Sequence, residues 1–162
     1  MVNIFSVSEV IQLGIQIERN GRDFYSTVAK SSKIDRAKQI FQYLAGEEEK
    51  HIKVFEGILS GVESYEPPEA YPGEYFAYLR ALSEEYVFTK EKKGIEIAQK
   101  VKSDMEGIEI GIDVEKDSIL FYNEMKKLVP KDRHKTIDKL IQQEQEHLRE
   151  LSKLKGSLKP QK

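Results

Sequence analysis

The chain repeats itself, and the repeat limits what it can fold into. Ser6, Glu9, Ile11, Gly14, Ile15, Glu18, Phe24, Tyr25 and Lys30 recur 97 positions later as Ser103, Glu106, Ile108, Gly111, Ile112, Glu115, Phe121, Tyr122 and Lys127. A looser copy at an offset of 96 pairs Leu44, Glu48 and His51 with Leu140, Glu144 and His147. Apolar residues follow the three-to-four spacing of helices through both copies. Internal duplication settles architecture before local detail does. Here it predicts a helical hairpin, a crossover, and the hairpin again: an all-α antiparallel four-helix bundle with pseudo-twofold symmetry.

Local signals divide the 162 residues into one domain. Ser6 with Glu9 reads as a capping box opening a first helix to about Lys30. After a polar connection at 31–35, a second helix runs to about Leu59, closed by Gly61, which makes the first hairpin 6–60. A long crossover, 62–102, starts with turn residues from Glu66-Pro67-Pro68 to Pro72-Gly73 and continues as an amphipathic helix carrying Phe76, Leu79, Leu82, Tyr86 and Val87. Ser103 with Glu106 opens a third helix to about Val129, and Pro130 to Asp132 turn the chain into a fourth, ending near Lys155. The second hairpin is thus 103–155, and the tail 156–162, with Gly156 and Pro160, is expected to fray.

The inward seams carry the chemistry. The second helix presents Ala37, Phe41, Leu44, Glu48, His51, Phe55, Ile58 and Val62, and the fourth presents Ile137, Leu140, Glu144, His147, Leu151 and Leu154. Both are oily except where a Glu and a His stand three residues apart, one turn above another on one face. The first and third seams, Ile11-Gly14-Glu18-Gly21-Tyr25-Val28 and Ile108-Gly111-Glu115-Ser118-Tyr122-Met125, are each broken by one carboxylate. With 21 Glu in 162 residues, one His in about eight has a Glu three positions before it by composition alone, so a lone instance means a solvated face. Four aligned seams in duplicated order mean more.

Four glutamates and two histidines therefore aim at one mid-section. A charged carboxylate in an apolar core costs several kcal/mol, and four together repel. Either some are neutralised by protons, or cations sit among them. Two divalent ions balance four carboxylates, with neutral imidazoles completing the set. That mixture suits iron, manganese or zinc, whereas magnesium and calcium prefer all-oxygen sets. The chain has no cysteine, which excludes thiolate metal sites, disulfides and thiol catalysis.

The order Glu18…Tyr25, Glu48-x-x-His51, Glu115…Tyr122, Glu144-x-x-His147 resembles the ferritin-like diiron carboxylate superfamily, and within it the rubrerythrin-like branch, over about 6–59 and 103–155. The resemblance implies a ferritin-like bundle holding two iron ions, with Glu48 and Glu144 bridging them and Glu18, His51, Glu115 and His147 as terminal ligands. It implies reduction of peroxide or dioxygen. The alternatives are iron handling by ferroxidase or storage chemistry, and a dimanganese catalase-type enzyme. Rubrerythrins proper add a four-cysteine iron centre, absent here, so electrons are expected from a separate donor protein. They also carry an extra metal-binding Glu one turn from the third-helix ligand; Gly111, Ile112, Ser118 and Ile119 stand there instead.

Tyr25 and Tyr122, two turns beyond their glutamates, are the candidate catalytic side chains, expected to hydrogen-bond a metal-bound carboxylate and set its orientation. Gly14, Gly21, Gly111 and Ser118 either let helices pack closely or leave space for the oxidant. Tyr65, Tyr71, Tyr75, Tyr78 and Phe88 are expected to cover the bundle or line a subunit contact in a homo-oligomer, a dimer in the first instance. His134 is expected on the surface, as are Glu47 and Glu49 beside inward Glu48. With 26 basic against 28 acidic residues, nothing favours a nucleic-acid partner. Neither a membrane span nor a secretory leader is read, so the cytoplasm is the expected compartment.

Overall fold

Four long amphipathic helices bury their seams against one another in the computed structural model, which describes residues 6–66 and 73–159. They are α1 (Val7–Ser31), α2 (Asp35–Val62), α5 (Asp104–Lys126) and α6 (His134–Leu158). Between α2 and α5 the crossover forms α3 (Gly73–Glu85), a 3-10 turn (Val87–Thr89) and α4 (Lys93–Gln99). Short connections make α1 and α2 one antiparallel pair and α5 and α6 the other. Every residue of the four seams is buried. Among the described residues no helix is long and apolar enough to cross a membrane.

The start signals work through side chains. Ser6 Oγ accepts from the Glu9 amide while Glu9 accepts from the Ser6 amide, a complete capping box. In the second copy only half survives: Ser103 Oγ accepts from the Glu106 amide, but Glu106 turns back to the Lys102 amide. Asp104 instead reaches across the bundle to accept from the amides of Lys33 and Ile34. That contact substitutes for the missing side-chain cap of α2, whose N-cap is Ile34.

Several boundaries differ from expectation. Gly61 does not close α2, which continues to Val62; a Cβ there would lie 2.6 Å from the Arg133 guanidinium, the flexible end of a long side chain. The third helix stops at Lys126, short of Val129. The tail is helical beyond Gly156, to Leu158, because Leu154 and Leu151 still pack inward. Val87 is exposed rather than part of an apolar face. The turn at 67–72, with Pro67, Pro68, Tyr71 and Pro72, and Pro160 lie outside the described residues.

The crossover is fastened to α1 by one buried asparagine. Asn20 Nδ2 donates to the carbonyls of Phe88 (2.6 Å) and Lys90 (2.7 Å), and its Oδ1 accepts from the Gly94 amide (3.0 Å). Here glycine is required: a Cβ at Gly94 would lie 2.1 Å from the Asn20 carbonyl oxygen. Phe88 is fully buried with its ring 5.9 Å from that of Phe24, and Tyr75 donates to the Glu124 carbonyl. Tyr65 is half-buried, while Tyr78 stays exposed.

Candidate metal centre

The six side chains that interrupt the seams meet in the bundle's interior. Glu18 from α1, Glu48 and His51 from α2, Glu115 from α5, and Glu144 and His147 from α6 are each between 1% and 4% exposed. Donor atoms of Glu18, Glu48, His51 and Glu144 lie within 4.8 Å of one another, as do those of Glu48, Glu115, Glu144 and His147. The two groups share Glu48 and Glu144.

The sharing is visible atom by atom. His51 Nδ1 lies 3.4 Å from Glu48 Oε2 and 2.7 Å from Glu144 Oε1, with Glu18 Oε2 at 3.3 Å. His147 Nδ1 lies 3.7 Å from Glu48 Oε1 and 3.3 Å from Glu144 Oε2, with Glu115 Oε1 at 3.8 Å. Glu48 and Glu144 thus turn one oxygen to each half. The two imidazole rings stack 5.5 Å apart, 18° from parallel.

Both tyrosines reach across the pseudo-twofold axis to the other repeat. Tyr25 donates to Glu115 Oε1 at 2.6 Å, and Tyr122 donates to Glu18 Oε1. Each takes one oxygen of its carboxylate and leaves Oε2 unpaired. Five buried atoms in this small volume have no hydrogen-bond partner: Glu18 Oε2, Glu115 Oε2, Glu144 Oε1, His51 Nδ1 and His147 Nδ1. His51 Nδ1 and Glu144 Oε1 approach closely, yet without hydrogen-bond alignment. An orphaned buried polar atom costs about 1–3 kcal/mol, so five together call for a shared partner that accepts lone pairs. Carboxylate oxygens and imidazole nitrogens are the donor set for first-row divalent ions, and these residues could hold two.

The electrostatics agree. Burial pushes Glu48 well above the usual carboxylate range, and repulsion from Glu144, Glu18 and Glu115 adds to it. Burial, then the Glu144 charge, does the same to Glu115. For Glu144 burial acts upward too, but the nearness of Glu115, His147 and His51 outweighs it and holds the group well below its usual value. Burial pulls His147 down, and Glu115 and Glu144 overcome it, so the imidazole is pushed up to about 10. His51 is likewise raised, against burial, by Glu18, Glu144 and Glu48. Without a cation, protons must be shared among these groups.

Further residues gather at the site that the sequence does not mark as ligands. Gln143 Oε1 lies 3.1 Å from His51 Nε2, which directs Nδ1 toward the carboxylates. Tyr86, from the crossover, pairs with Ser118 Oγ at 2.8 Å and donates to the Val114 carbonyl, beside Glu115. Glu47 is not a solvated residue: its side chain is 13% exposed, and it lies within 4.8 Å of donor atoms of His51 and His147. Its neighbour Glu49 faces outward and pairs with Arg22. His134 is half-buried rather than on the surface, with Nε2 3.1 Å from the Val129 carbonyl, away from the centre.

The glycines divide by what they touch. A Cβ at Gly14 would meet Met125 at 2.9 Å, and one at Gly111 would meet Leu151 at 3.1 Å and Tyr25 at 3.2 Å. Those two serve packing. A Cβ at Gly21 would lie in ordinary contact, 3.4 Å from the Glu48 side chain.

Comparison with known proteins points the same way. The Rubrerythrin family profile matches residues 9–155. The fold is similar to the crystal structure of a ferritin-like diiron-carboxylate protein from Thermotoga maritima, with a TM-score of 0.68 and 30% identity over 94% of this chain and 95% of that one. No curated protein matches.

Proposed function

The chain belongs to the rubrerythrin family, and we propose that it works as a dinuclear iron oxidoreductase that reduces peroxide or dioxygen with electrons from a separate donor protein. One observation supports this most: five unpartnered buried donor atoms facing one another on four helices. In this reading Glu48 and Glu144 would be shared by the two ions, Glu18 and His51 would complete the set that holds one, and Glu115 and His147 the set that holds the other. When bound, the ions supply the redox chemistry: one electron from each, with two protons, converts hydrogen peroxide to two waters.

The chain's own residues do the rest. Tyr25 and Tyr122 each fix a terminal carboxylate by one oxygen, so the other stays aimed inward without rotating. Gln143 fixes the His51 ring. Phe55, Leu44, Ile108 and Leu140, all buried, keep bulk water from the carboxylates and preserve their interaction with cations. Tyr25 and Tyr122 are held firmly protonated, by burial first and then by the carboxylate charges around each, so their hydroxyls remain donors at neutral pH.

The test is anaerobic loading with ferrous ion followed by hydrogen peroxide in a stopped-flow spectrometer. Oxidation of the protein-held iron should be far faster than that of free ferrous ion at equal concentration. Equal rates would refute the oxidoreductase reading.

A further inference from the structure

We infer that Glu47, with the outward edges of His51 and His147, forms a transient capture site through which divalent cations are loaded into the dinuclear centre. The inference rests on the metal-binding reading above and adds a role that reading does not contain.

Both histidines send Nδ1 toward the four shared carboxylates, so the ring edge carrying Nε2 faces away from them. Glu47, one turn before His51, brings its carboxylate to the same two rings: one ligand atom each from Glu47, His51 and His147 lie within 4.8 Å of the others. Gln143 Oε1, 3.1 Å from His51 Nε2, gives up that contact when an ion takes the nitrogen. Both imidazoles are nearly fully buried, yet a groove of about 470 Å³ between α2 and α6 opens onto His51 and Gln143 from outside. The outer edge of His51 is therefore where bulk solvent comes nearest to the centre along this groove.

Lys50, Lys135 and Lys139 outnumber Asp132 in the groove and make it basic, so a cation is drawn to the acidic side of Glu47 instead. On the other side of Glu47, the Tyr43 ring stands edge-on to His147 at 6.3 Å and feels the charges of Glu47, Glu146 and Glu150 against that of Lys50. Lys50 holds Glu47 at 2.6 Å but is itself 71% exposed, so it can release the carboxylate to an arriving ion at little cost. A neutral imidazole has one lone pair. An ion on the outer nitrogens and an ion on the inner ones thus exclude each other at a given ring, and the capture site empties as the centre fills.

The experiment follows cobalt(II) entry into the metal-free protein by stopped-flow absorbance, with the bound ions then counted after equilibrium dialysis. Wild type should finish at two ions per chain. Glu47→Gln should reach the same count about tenfold more slowly, the order expected when a steering charge is lost. Glu49→Gln removes an equal charge two residues away, on the Arg22 side of the helix, and should load at the wild-type rate. Lys50→Gln frees Glu47 and should load faster than wild type. Wild-type loading by Glu47→Gln would overturn the inference, as would equal slowing by Glu49→Gln, which would make the effect one of net charge. A final count below two in Glu47→Gln would make Glu47 a permanent ligand and overturn it too. Failure of wild type to bind two ions would instead sink the dinuclear reading itself.

Discussion

Glu48 and Glu144 divide their oxygens between the two histidines, while Glu18 and Glu115 each surrender one oxygen to a tyrosine. This asymmetry gives the four carboxylates different expected losses. Glu18→Ala and Glu115→Ala should each reduce the bound ions from two to one per chain, and Glu48→Ala should lose both, as read by metal analysis after dialysis. Tyr25→Phe and Tyr122→Phe should keep both ions but slow peroxide-driven oxidation by about tenfold or more, since the freed carboxylate can then rotate. Unchanged oxidation kinetics in both variants would remove the tyrosines from the chemistry.

Helix by helix, what could be read in advance follows from periodicity. Glu18, Glu48, His51, Glu115, Glu144 and His147 stand out in the sequence because each interrupts an otherwise oily seam, and the structure buries each among the others. The crossover gives no such signal. Asn20 is a short polar residue on α1 whose partners are backbone groups 68 to 74 positions away, and hydrogen bonds to backbone leave no pattern in side-chain order. Glu47 was hidden for a related reason: in a run of three glutamates, burial is decided by the neighbouring helix, here by His147 on α6. Gly61 reads locally as a stop, yet α2 runs on through it to Val62. The Asn20 clamp carries its own prediction. Asn20→Ala strips the partners from two carbonyls and one amide and should cost about 2 kcal/mol or more in unfolding free energy. Gly94→Ala, which drives a methyl into the α1 backbone, should cost about 1–3 kcal/mol; denaturant melts would measure both.

Across the chain as a whole, stability and metal binding are linked. Glu48 and Glu115 have raised carboxyl pKa values in the metal-free fold, and His147 is raised from 6.5 to about 10. Groups raised on folding stabilise fully below their unfolded values and cease to do so as pH climbs through the folded ones. The metal-free protein should therefore lose thermal stability from neutral pH toward about 10, while Glu144, shifted the other way, protects it only above the acid range. Filling the centre replaces those protons with cations, so binding at neutral pH should release protons and raise the melting temperature. A calorimetric titration in two buffers of different ionisation enthalpy would detect the protons; a buffer-independent enthalpy would show that the carboxyls were already ionised.

The most direct measurement is an anaerobic titration of the metal-free chain with ferrous ion, reading stoichiometry by calorimetry and by metal analysis of the dialysed product. Four carboxylates and two imidazoles that share Glu48 and Glu144 should take up two ions per chain and retain both. Uptake of none, or of a single ion with no second site, would contradict a dinuclear centre and the oxidant chemistry built on it.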